Sequence, residues 1–117
     1  MTKTMLMGAR LCALFALALG IARWLGYAAM PVHLHMTVGA IFVLLLWFLS
    51  FKAMGTAKGI ALAGFLVGLV VPIVGYAQLT TAMGGGQWSL QLAHVVLAIG
   101  AIGLAEMAGK RARLAGV

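Results

Sequence analysis

Pro31 to Ala53 reads P-V-H-L-H-M-T-V-G-A-I-F-V-L-L-L-W-F-L-S-F-K-A, and no ionisable side chain stands between His35 and Lys52. At about 1.5 Å per residue, a helix over this stretch is roughly 35 Å long. A bilayer's hydrocarbon core is about 30 Å thick. The stretch lacks the polar and apolar alternation of a membrane barrel strand, so it predicts a transmembrane helix. Its two histidines and two methionines, counting Met30 just ahead of it, crowd into one end.

Three comparable runs flank it. The polar and glycine-rich breaks W-L-G-Y-A-A-M, F-K-A-M-G-T-A-K-G and T-T-A-M-G-G-G-Q divide the chain into four helices, at approximately 5–25, 31–53, 59–79 and 87–108. The first run, with Lys3 before it, has the outline of a signal peptide. It continues past the length of such a core, and three further runs need a partner, so it reads as a mature helix. The expected fold is all-α: one four-helix transmembrane bundle over residues 1–117, with no repeat, linker or second domain.

Composition agrees. The chain is 65% hydrophobic and 8% charged, with a mean hydropathy of +1.17, whereas soluble domains are about 25% charged. A net charge of +7 does not point to nucleic acid, because the bases sit between apolar runs and form no basic face. Lys3, Arg10, Lys52, Lys58, Lys110, Arg111 and Arg113 fall on one side of the four-span arrangement and Arg23 alone on the other. Cytoplasmic loops concentrate Lys and Arg. Both termini are therefore expected in the cytoplasm, and the loops near 26–30 and 80–86 outside, which in a bacterial inner membrane is the periplasm. Cys12, the only cysteine, reads as packing.

His33, His35 and His94 all belong to the outward half. With Pro31 in the first helical turn, His35 lies about 6 Å into the second helix and His94 about 10 Å into the fourth. Residues two apart on a helix point roughly 200° apart, so His33 and His35 cannot share a face. His35 is the inward candidate, since Gly39 and Phe42 continue its stripe, and Gly39 leaves room for a flat ring near the backbone. Gln87 and Gln91 stand above His94 on its own stripe, while Gly100 and Gly103 thin the helix farther along. Two imidazoles at matched depth on different helices can hold haem iron within an apolar bundle.

On P-V-H-L-H-M-T-V-G and Q-L-A-H-V-V-L-A-I-G the chain resembles the small bacterial membrane-bound b-type cytochromes, four-helix bundles whose axial histidines face one another. The resemblance implies one haem b with His35 and His94 as axial ligands, His33 the substitute for His35, and electron transfer with a quinone, a redox protein or superoxide. Three histidines are too few for a two-haem wire across the membrane. Arg23 is the sole outward base. It can bind a haem propionate through charge-assisted hydrogen bonds, or close its helix before Gly26 and snorkel outward.

Copper is the second reading, since Met30, His33, His35, Met36 and Met83 offer thioether and imidazole donors suited to Cu(I). A third reading has no cofactor: a small transporter, or a structural subunit of a homo-oligomer or larger complex, packed through the small residues Ala16 with Gly20 and Gly64 with Gly68. Against a proton-coupled carrier, the only acid, Glu106, is expected near the cytoplasmic end of the last helix, paired with Lys110 four residues on. Trp24, Tyr27, Tyr76 and Trp88 fit an outward interfacial belt, and Pro72 a kink bordering the site through the Gly64, Gly68, Tyr76 stripe. No nucleophile with an adjacent base and no phosphate loop is present.

Overall fold

The computed structural model describes residues 1–26, 32–80 and 87–116. The expectations for Tyr27, Met30, Pro31 and Met83, and for the side chain of Gln87, lie outside the described residues. The described chain is all-helical, α1 (Thr2–Trp24), α2 (Val32–Ala53), α3 (Lys58–Thr80) and α4 (Gln87–Leu114), and each helix is long and apolar enough to cross a membrane.

The four elements stand where the apolar runs put them, with two extensions. α4 continues past the expected end at 108 because Ala108 and Ala112 carry on a fully buried alanine stripe, and Lys110, Arg111 and Arg113 are compatible with helix. α1 begins at Thr2, whose hydroxyl accepts a bond from Lys52 Nζ at 3.1 Å, so the N-terminus is tied to the end of α2. At its other end α1 closes on Gly26, which takes φ +94° and donates its N–H to the Arg23 carbonyl at 3.1 Å. That is the left-handed cap for which glycine is suited.

α2 and α4 form the short diagonal of the bundle. Each packs on the other and on both α1 and α3, while α1 and α3 do not meet among the described residues. The end that carries the chain termini and most of the bases is close-packed. Leu6, Ala9 and Ala13 of α1 meet Ala101, Ala105 and Ala108 of α4 around Leu46 and Leu49, both fully buried. Gly109 is needed there, since a Cβ on it would stand 3.1 Å from Leu6. On the opposite flank Gly64 and Gly68 of α3 receive Ser50 and Trp47 of α2, and a Cβ at either would collide with Ser50 Oγ or Trp47 Nε1. Small residues allow such close approach of helices. The outer surface is apolar all round, with Leu44, Phe48, Phe51, Leu66, Leu69, Ile73, Val96 and Ile99 exposed, the pattern of a helix surrounded by apolar medium.

One expectation is corrected here. Glu106 pairs across helices and not with Lys110: Arg10 Nε and Nη2 donate to its two oxygens at 2.5 and 2.8 Å, a bidentate clamp between α1 and α4. The ammonium of Lys110 cannot offer that parallel fork. Gly100 and Gly103 are both exposed with open space beside them. Nine residues beyond His94, Gly103 is half a turn out of phase with it.

Candidate functional site

At the histidine end the bundle opens. The packing that joins α1 to α4 and α2 to α3 at the basic end gives way to two separate pairs. α1 holds α2 through His35, whose ring lies against Gly20, where a Cβ would stand 3.2 Å from Cε1. α3 holds α4 through His94, whose ring lies against Gly75, where a Cβ would stand 2.9 Å from Cε1. Between the pairs lies a cavity of about 370 Å³ lined by all four helices, within the size range of ligand pockets.

Both rings line it, edge-on to one another, with centroids 6.2 Å apart and planes at 62°. A metal ion bound by two imidazole nitrogens at about 2 Å each, on opposite sides, separates the ring centroids by roughly 6 Å. The centroid spacing is of that size. His35 Nδ1 is hydrogen-bonded to the Ala16 carbonyl at 2.9 Å. With Nδ1 committed as donor to a carbonyl, Nε2 is the free ligating nitrogen. His94 is seated on the same plan: its ring has the backbone carbonyl of Val71, four residues before Gly75, as a hydrogen-bond partner, although its buried Nδ1 lies outside close hydrogen-bond geometry.

Among the five residues that the sequence singles out, His35, His94, Arg23 and Gly39 all line the cavity. Gly39 faces open space, with nothing within 4 Å of the position a Cβ would take. Arg23 is exposed at the rim beside Trp24. His33 is not brought to the cavity. Its side chain is exposed, and its carbonyl accepts the Thr37 hydroxyl at 2.8 Å. Of the thioethers described near the site, Met36 lines the cavity. No group of three or more His, Cys, Asp or Glu side chains converges among the described residues.

Several wall residues escaped sequence reading as site components. Ala16 and Gly20 read as a helix-packing pair, yet their backbone is what His35 rests on. Gly75 is invisible until α3 is seen beside His94. Trp24 is exposed as an interfacial residue would be, and also forms cavity wall. Pro72 and Tyr76, on the stripe expected to border the site, do line it, while Gly64 and Gly68 of that stripe pack on Ser50 and Trp47.

Two imidazoles could serve as donors to a group held between α2 and α4, and no further His, Cys, Asp or Glu joins them among the described residues. Glycine at 20 and 75 keeps backbone close to the rings, Gly39 opens onto the cavity, and the walls are mostly apolar, with Arg23, Gln78 and Gln91 as polar lining. Comparison with protein-family models, curated proteins and solved structures finds no match.

Proposed function

We propose that the chain is a multi-pass protein of the bacterial inner membrane that binds one haem b between His35 and His94 and transfers electrons near the periplasmic face. The single observation that carries this reading is the pair of imidazoles with centroids 6.2 Å apart that line one cavity walled by all four helices. Bound haem b supplies one-electron iron chemistry at a potential set by its axial ligands, burial and nearby charge. His35 and His94 hold the iron from α2 and α4. The Ala16 carbonyl orients His35 and raises its basicity as a ligand. The apolar walls exclude water, and Arg23 at the rim is placed to pair with a propionate. Quinol or another redox protein is the exchange partner.

The seven-to-one distribution of bases supports cytoplasmic termini, which puts the cavity at the periplasmic side. Reporter fusions after Lys58 and at the C-terminus should read cytoplasmic and one near Gly85 periplasmic. For the site itself, the purified protein should show the six-coordinate, low-spin spectrum of bis-imidazole haem. That spectrum should be lost or become high-spin in His35→Ala and in His94→Ala and survive His33→Ala. Protein purified with copper and no haem would overturn the assignment.

A further inference from the structure

The only acid in the chain stands among a surplus of bases along one seam of the bundle. Leu6 of α1 meets Gly109 of α4 and Arg10 meets Glu106, so the two helices run antiparallel and their basic ends lie side by side. The Arg10–Glu106 clamp faces outward, with side chains 45% and 41% exposed, and Arg10 spends only part of its donor fork on it. Lys3 shares the face of α1 that carries Arg10, at i and i+7, and Lys110 and Arg113 share the face of α4 that carries Glu106, at i+4 and i+7. All three are exposed. Arg113 is close enough for its charge to act on the Glu106 carboxylate.

Four bases against one acid leave the seam with a net charge of +3. A second copy of the chain cannot neutralise it, because it brings the same surplus and no other acid. Counted from Trp88, exposed at the histidine end, Lys110 and Arg113 lie about 33 and 38 Å along α4, just past a hydrocarbon core of about 30 Å. Lipid phosphates stand at that level. Beside the clamp and nearer the bilayer centre, Leu6, Ala9, Phe42, Ile102 and Ala105 line a shallow apolar dimple. From this charge balance and this layout we infer that the α1–α4 seam at the basic end is a binding site for an anionic glycerophospholipid, with its phosphate on Lys3, Lys110 and Arg113, Arg10 above them, and an acyl chain over the dimple. The lipid covers the clamp and joins α1 to α4 from outside. The site lies at the opposite end of the bundle from the histidines and stands whether or not their cavity holds haem.

The test is native mass spectrometry of the full-length protein, released from detergent after incubation with phosphatidylglycerol or with phosphatidylcholine of the same chains. Phosphatidylglycerol should be retained in preference, and Lys110→Gln combined with Arg113→Gln should weaken its binding about 10–30-fold. Lys58→Gln combined with Arg111→Gln removes the same charge from the same end but outside the seam. Lys58 begins α3, which does not meet α1 among the described residues, and Arg111 points roughly 140° away from Glu106 around α4. That combination should leave binding little changed. Equal losses in the two double variants would show a diffuse attraction between basic protein and anionic lipid, and would overturn the site. Equal retention of the two lipids, no retained phosphatidylglycerol, or its full displacement by glycerol phosphate, which carries the anion without the chains, would each overturn it too. Where the first double variant does not insert, Lys3→Gln decides: a several-fold loss supports the site and an unchanged affinity refutes it.

Discussion

Two glycine substitutions at the cavity should act in opposite senses. Glycine inside a helix costs up to about 1 kcal/mol relative to alanine, so Gly39→Ala, with nothing within 4 Å of the new Cβ, should stabilise the cofactor-free protein by up to that amount. Gly75→Ala receives the same helix benefit but puts a methyl 2.9 Å from His94 Cε1 and 3.3 Å from its Nδ1, against a usual carbon contact of about 3.5–4.0 Å. The ring must give by roughly half an ångström to one ångström, and overpacking of this kind costs about 1–3 kcal/mol. The expected gap between the two variants is therefore about 1–3 kcal/mol in favour of Gly39→Ala. Unfolding by SDS titration from detergent micelles, followed by circular dichroism on haem-free protein, measures it. Haem retention should reverse part of the order, because the methyl at 39 occupies the cavity itself. Equal unfolding midpoints for the two variants would refute the account of how His94 is seated.

Three further outcomes are expected. Arg23→Gln deletes the rim charge that favours reduced iron and an anionic propionate, so the haem midpoint potential in a redox titration should fall, with Arg23→Lys between it and the parent; equal potentials would remove Arg23 from the site. Ser50 is fully buried with an unpartnered hydroxyl that a Cβ at Gly64 would strike. Ser50→Ala should therefore be neutral or stabilising, and should soften the loss caused by Gly64→Ala when the two are combined in an unfolding titration. Arg10→Glu and Glu106→Arg should each loosen α1 from α4, and the double exchange should restore much of the loss by re-forming the pair; a double variant no better than its parents would show that the fork contributes nothing.

The number and rough extent of the helices were legible in the sequence because a long apolar stretch without charges has few alternatives: its backbone polar groups must be satisfied within the segment, and a helix does that locally. Selecting His35 over His33 for the interior needed only helical phase and the placement of Gly39. Phase along one helix cannot say which neighbour lies across from it. Gly20 and Gly75 look like any other small residues in an apolar run, and only the packing of α1 on α2 and of α3 on α4 makes them the seats of two rings. Likewise Glu106 had a plausible partner one turn away in Lys110, but Arg10, 96 positions distant in the chain, reaches it with a better fork. The 6.2 Å between the imidazoles and the backbone carbonyls of Ala16 and Val71 that meet them belong to tertiary structure alone, because distances between helices are set by the side chains that separate them and not by the periodicity of any one helix.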